Sequence, residues 1–237
     1  MDRSDLLRSL HVPGDPLVLP NAWDAASANA VAAAGFPVVA TTSAGVAAAL
    51  GYEDHQGAPA DEMLAAAARI ARSVEVPVTV DAEAGYGLEP PELVAALKEA
   101  GAAGCNLEDT DHSTGVLRDP GEHASWLRHV RDEDEALVIN ARIDVFLSGS
   151  GDLAEALARS RAYFGAGADC VYPIALSDRA ALAEFVEQAG GPVNVLARPE
   201  APPLEELAQL GVARVSYGGL LHRQTMEHFR TALDSLR

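Results

Sequence analysis

Eight short apolar runs recur along these 237 residues, each followed by an Ala-, Leu- and Glu-rich stretch that ends near a turn. Strands are expected at 17–20, 36–41, 77–81, 104–108, 136–141, 169–173, 192–196 and 213–216. Helices are expected near 23–34, 60–73, 90–100, 121–131, 152–165, 178–189 and 203–210, with a last one over about 219–236. Gly35, Gly101, Gly190 and Gly211 stand where helix C-termini need a left-handed residue. Pro90, Pro91 and Pro203 stand at helix starts, where a missing N–H costs little. Eight strands alternating with helices in one domain, residues 1–237, predict a (β/α)8 barrel of the TIM type. A doubly wound sheet is the alternative. Long loops after strand 2 (42–59) and strand 4 (109–120) would overhang the active-site face of such a barrel.

Composition removes several classes of function. The chain is 49% hydrophobic, yet no apolar run reaches the roughly 18–20 residues of a membrane span. The opening Met1-Asp-Arg-Ser-Asp lacks a signal-peptide apolar stretch, so a cytoplasmic protein is expected. A net charge of −18 argues against nucleic acid or an anionic membrane as partner. Cys105 and Cys170 sit in expected strands and read as small buried apolar groups. Lys98 is the only lysine and falls in an expected helix, so Schiff-base chemistry lacks its nucleophile.

Two of the strands end in acids. Val78-Thr-Val-Asp81-Ala-Glu83-Ala-Gly85-Tyr-Gly87 and Cys105-Asn-Leu-Glu108-Asp109 begin as buried strands and stop in carboxylates. Buried carboxylates persist when paired, hydrogen-bonded or metal-bound. Asp81, Glu83 and Glu108, arriving from adjacent strands, suit a hard divalent cation such as Mg2+, with Mn2+ as a substitute. They can also be read as helix caps or solvated loop tips. Asp54 in the loop after strand 2 could reach the ion through water, or be a solvated acid. Arg142 after strand 5 suits bidentate binding of a carboxylate or phosphate; an internal salt bridge to Asp144 or Glu108 is the other reading. Thr42, Ser43 and Ala44 leave backbone N–H groups open to an anionic oxygen. Trp23 and Asn194 could line a site or be structural. The seven histidines show no metal-ligand spacing, and only His55 and His112 lie in site-facing loops.

With those residues in view, the chain resembles the isocitrate lyase/phosphoenolpyruvate mutase superfamily. The likeness runs from Leu19-Pro-Asn-Ala-Trp23-Asp24 to about Tyr217. It is carried by Thr42-Ser-Ala-Gly, Gly51-Tyr-Glu-Asp54, Asp81-Ala-Glu83-Ala-Gly-Tyr-Gly87, Glu108-Asp109, Asn140-Ala-Arg142 and Pro192-Val-Asn194-Val. The resemblance implies a (β/α)8 barrel binding Mg2+ through Asp81, Glu83 and Glu108, with Asp54 in the outer sphere. It implies an α-keto acid or its enolate chelating that metal, with its carboxylate against Thr42–Ala44 and Arg142. Lyases of the family carry a Lys-Cys-Gly-His-type motif after strand 4; here Asp109–Arg118 has neither Lys nor Cys. Ile174 stands where those lyases place Glu and the mutase places His.

The leading expectation is a Mg2+-dependent carbon–carbon lyase or hydrolase of a small 2-oxo or 2-hydroxy dicarboxylate. Arg142 and Asp54 would serve the chemistry, with His112 or a tyrosine (Tyr52 or Tyr86) replacing the missing cysteine as acid/base. Phosphoenolpyruvate or phosphonopyruvate mutase or hydrolase chemistry is the alternative, as is a keto-acid-binding protein without catalysis. A homo-oligomer, dimer or tetramer, is expected, the last helix packing on or swapping with a neighbour.

Overall fold

Each apolar run becomes a strand buried on both faces, because helices cover the outside and side chains fill the inside. The computed structural model describes residues 2–149 and 151–237. Strand β1 is Leu17–Leu19, continued past Pro20 as Asn21–Ala22. The others are β2 (Val39–Thr41), β3 (Val78–Asp81), β4 (Gly104–Leu107), β5 (Val138–Ile143), β6 (Cys170–Pro173), β7 (Asn194–Leu196) and β8 (Arg214–Ser216). Pro20 has no N–H to donate, and β1 changes neighbour across it: Leu17–Leu19 pairs with β8, Asn21–Ala22 with β2. From β2 the parallel ladder runs through β3, β4 and β5 to β6. A bridge between Val171 and Val193 carries it to β7, which pairs with β8. The return of β8 to β1 closes the sheet. The fold is the (β/α)8 barrel, and a doubly wound sheet, which keeps two edges, is excluded.

The expected helices are present within a few residues, among them Ala25–Ala33, Ala60–Ala71, Pro90–Glu99, Pro120–Glu133 and Leu153–Gly165. Several starts are capped as their sequences dictate. Asp24 accepts from Ser27 N while Ser27 Oγ reaches the Asp24 N–H, a reciprocal cap. Three elements were not anticipated. Helix Arg3–Ser9 buries Leu7 among Leu17, Val38, Ala103 and Val138 at the strand starts, plugging the bottom of the barrel. That one leucine contributes about 1.5–3 kcal/mol by leaving water. Helix Ser43–Leu50 occupies half of the expected 42–59 loop, and a two-stranded hairpin, Thr110–Asp111 with Val116–Leu117, occupies the 109–120 loop. The final helix, Leu220–Asp234, buries none of its residues and leaves Phe229 53% exposed.

Cys105 and Cys170 are buried and unpaired. Lys98 lies on the outside, 3.3 Å from Asp134. Among the described residues no helix is long and apolar enough to cross a membrane.

Candidate active site

The acid-tipped strands open into a cavity of about 460 Å³ at the carboxyl ends of the barrel strands. Its lining includes Thr42, Ser43, Ala44, Asp54, Asp81 and Arg142. The pairing register puts Asp81 opposite Asn106 and Asn106 opposite Asn140, so polar groups step around the barrel interior. Asp81 Oδ2 accepts from the Ser43 N–H at 3.0 Å, and the Asn106 amide lies 3.5 Å from Oδ1. Thr42 caps helix Ser43–Leu50 without a side-chain hydrogen bond, so the Ala44 N–H in its first turn has no intrahelical acceptor. Helix dipole and free N–H together favour an anion there.

Glu83 is 2% exposed, and its carboxyl accepts from the Gln56 N–H in a short contact. Burial, then Asp81, push its pKa up to about 8; Asp54 and Glu108 add to the shift and the Gln56 N–H opposes it. Asp54 Oδ1 is buried with no hydrogen-bond partner. Clustered carboxylate oxygens, one of them orphaned, have the chemistry of a hard-cation site that also admits water. Even so, no three Asp, Glu, His or Cys side chains among the described residues are grouped as a ready ligand set. On the Glu108 side both carboxylate oxygens are already engaged.

Glu108 faces Arg142 through one oxygen and His112 Nε2, at 2.7 Å, through the other. Arg142 also gives Nε and Nη2 to Asp144, at 2.6 and 3.0 Å. Burial opposes its charge, but Asp144 and Glu108 outweigh burial and raise its pKa. Asp144 takes further donors from Thr110 Oγ1 at 2.6 Å. Next to it, buried Asp109 accepts from Arg159 at 3.0 Å, Tyr163 at 2.7 Å and the Asp144 N–H at 2.9 Å. This half of the rim is a saturated ion network.

Strain collects on the same rim. Among the described residues, those other than glycine with positive φ are His55, Gln56, Glu83, Tyr86 and Ala175, all in loops beyond strand carboxyl ends. Gly85, at φ +86°, lies under Trp126, where an added Cβ would come within 2.9 Å of the ring.

Comparison with known proteins gives the family and agrees with the barrel fold. The model of the phosphoenolpyruvate phosphomutase family matches residues 7–237. The chain belongs to that family. A candidate phosphonomutase from Burkholderia cenocepacia J2315 is 41% identical and superposes with a TM-score of 0.95, over 99% of this chain and 100% of that one. An uncharacterized protein of Mycobacterium tuberculosis is 37% identical over 89% of this chain and 81% of its own length. A Corynebacterium glutamicum protein described as a probable 2-methylisocitrate lyase is 29% identical over 99% of this chain and 81% of its own. The protein is thus an enzyme of the phosphoenolpyruvate mutase/isocitrate lyase superfamily.

Measured against the family reading, the expected site residues divide. Asp54, Asp81, Arg142 and Thr42–Ala44 line the cavity together. Arg142 lies inside β5 rather than after it, in the internal ion pairs that were its second reading. Tyr52 is turned away, its hydroxyl 2.7 Å from Glu62, which raises its pKa. Trp23 packs edge-on against His222 at 5.1 Å, outside the cavity. Asn194 is buried within the barrel, its Oδ1 accepting from Ser216 Oγ at 3.1 Å. His112 and His55, ring centroids 5.2 Å apart, border adjoining clefts. The Glu108 hydrogen bond raises the His112 pKa. Tyr86 sits with its hydroxyl 3.3 Å from the Asp81 carbonyl.

Some residues escaped notice in the sequence. Asn21 Oδ1 accepts from the Tyr217 and Gly218 N–H groups at 2.8 and 2.9 Å, while its amide donates to the Thr41 carbonyl. Arg214, fully buried in β8, donates to Asn106 Oδ1 at 3.0 Å, beside the 2.8 Å bond from Asn140. With two donors on its oxygen, Asn106 must turn its amide nitrogen toward Asp81. Strand polarity alone marks these positions, since each is a polar residue in an apolar run.

Proposed function

We propose that this protein is a Mg2+-dependent carbon–carbon lyase or hydrolase of a small 2-oxo or 2-hydroxy dicarboxylate, working through an enolate. The observation that carries the reading is a single cavity in which Asp54 and Asp81 stand beside the first turn of helix Ser43–Leu50, where Asp81 takes the Ser43 N–H and the Ala44 N–H is left without an intrahelical acceptor. Mg2+ commonly keeps several waters and takes one or two carboxylates. Asp81 would hold it directly, with Glu83, Glu108 and Asp54 around its waters; Mn2+ could substitute. When bound, the ion supplies Lewis-acid stabilisation of a developing enolate oxygen.

The chain's own residues do the remainder. The Ala44 N–H and its helix bind the carboxylate of the 2-oxo acid and fix its orientation. Arg142, locked by Asp144 and Glu108, presents a fixed positive wall to the cavity without reorganising, as oxyanion stabilisation favours. Asn106, set by Arg214 and Asn140, steadies Asp81. Asp54, with its buried free oxygen, is placed to take or return a proton. His112, on the adjoining cleft and held to Glu108, would have to work from outside the cavity.

Purified protein with Mg2+ should turn over at least one of oxaloacetate, methylisocitrate and dimethylmalate. No turnover of any, with metal bound, would favour a keto-acid-binding protein. Exchange of 31P signal between P–O and P–C species would favour phosphonopyruvate chemistry, the reading suggested by the candidate phosphonomutase. A cytoplasmic location fits the two unpaired cysteines. A homo-oligomer fits the exposed Met226, Phe229 and Leu233 of the last helix, one row at helical spacing. Light scattering would test it, and a monomer at micromolar concentration would overturn it.

A further inference from the structure

The cavity carries three guanidinium groups, and two already face carboxylates. Arg142 is held by Asp144 and Glu108, and Arg198 Nε lies 2.8 Å from Glu200. Arg223, in the first turns of helix Leu220–Asp234, has no side-chain hydrogen bond or ion pair within the described residues. A cation so near a helix N-terminus is electrostatically unfavourable, and no acid in that turn offsets it. An anion seated between the two would remove the conflict.

The geometry shows where such an anion would sit. A Cβ built on Gly219 would lie 2.9 Å from Arg223 Nη1, 3.5 Å from Ala44 Cβ and 3.9 Å from Thr42 Oγ1. The bare glycine therefore lets the guanidinium approach the first turn of helix Ser43–Leu50, on the side of Thr42 and Ala44. Asp54 and Asp81 lie in the same cavity, so the rim is positive on one side and negative on the other.

We infer that Arg223 receives the second anionic group of the substrate, a carboxylate or a phosphonate carried by a 2-oxo acid, and so selects dianionic over monoanionic substrates. The assignment rests on the enolate-site reading above. It makes Arg223 a specificity residue: affinity for the shared 2-oxo acid portion should not depend on it. Arg223 is exposed to solvent, which keeps the effect moderate, about tenfold.

The test compares pyruvate, oxaloacetate and phosphonopyruvate on the purified Mg2+-loaded protein, by calorimetry, or by KM where turnover occurs. Arg223→Gln should weaken oxaloacetate or phosphonopyruvate about tenfold while changing pyruvate less than about twofold. Arg223→Lys should recover part of the loss. Loss confined to one of the two dianions identifies its anionic group. Equal weakening of all three ligands, or no weakening of any, would overturn the role of Arg223 and leave the enolate site standing. Failure of the unmodified protein to bind any of the three would overturn both.

Discussion

The two halves of the barrel mouth differ in how completely their charges are answered. Beyond β4 and β5, Glu108, Asp109, Arg142, Asp144 and Arg159 satisfy one another, with Thr110 and Tyr163 filling remaining positions. Across the cavity, Asp54 keeps an unpartnered oxygen, the Ala44 N–H of helix Ser43–Leu50 has no intrahelical acceptor, and Arg223 makes no ion pair among the described residues. A saturated network holds its shape and has little capacity for a ligand. An unsatisfied one is costly unless something binds to it. The contrast separates residues fixed in place, Arg142 among them although it faces the cavity, from residues left free to take up a ligand.

Mutation of each half should therefore fail differently. The largest effect is expected from Asp109→Ala, which leaves the Tyr163 hydroxyl and the Asp144 N–H without an acceptor in the interior and leaves Arg159 with Glu155 as its remaining carboxylate. About 2–4 kcal/mol of stability should be lost in urea unfolding, and a loss below about 1 kcal/mol would erase the distinction. Asp81→Ala should do the reverse. Mg2+-dependent oxalate binding should fall at least about 100-fold, some 2.7 kcal/mol, while the unfolding midpoint moves little. Unchanged Mg2+ affinity would refute the site assignment.

The halves should also answer pH with opposite signs. Glu83 has a native pKa of about 8, above its unfolded value, so its contribution is intact at low pH and is lost as pH rises through about 8. Glu83→Gln should thus stabilise the metal-free protein by about 1–3 kcal/mol at pH 8 and hardly at all at pH 5. His123 is the counterpart: buried without hydrogen bonds, stacked on Trp126 and lowered to about 3, mainly by burial. Its native pKa lies below the unfolded one, so its contribution is full above about pH 6.5 and drains away toward pH 3. His123→Phe should flatten the acid limb of a stability–pH curve, by up to about 1.4 kcal/mol per pH unit. An unchanged limb would place the acid sensitivity elsewhere. The smallest effect is expected at Tyr52, where loss of the solvent-side bond to Glu62 in Tyr52→Phe should move the unfolding midpoint little and leave turnover within about twofold. A large fall in turnover would return Tyr52 to the chemistry.

Most of the barrel was legible because period and punctuation are local. Apolar runs, glycine stops and acidic strand ends need no knowledge of distant partners. Helix Ser43–Leu50 was not legible, since Ser-Ala-Gly-Val-Ala-Ala-Ala-Leu lacks a polar stripe and its opening resembles a small-residue loop. The acids at Asp81 and Glu108 were visible as breaks in packing, but how they are engaged was not. Whether Glu108 faces a metal or Arg142 depends on a side chain one strand away. Arg223 was invisible for the same reason, since its meaning comes from the approach of Gly219 to Ala44 across the chain.

The change of partner at Pro20 has a mechanical consequence. Together with the lone Val171–Val193 bridge, it divides the wall into a six-stranded arc and a three-stranded arc joined along two thin seams. Asp81 and Arg142 ride on the larger arc, while Tyr217 and Arg223 follow the smaller. Asn21 sits at one seam, fastening Thr41 to Tyr217 and Gly218. The molecule is built like a hinged case whose two shells each carry part of the grip. Slow breathing along those seams, seen as faster amide exchange at β7 and β8 than at β4 and β5, would set how wide the mouth opens.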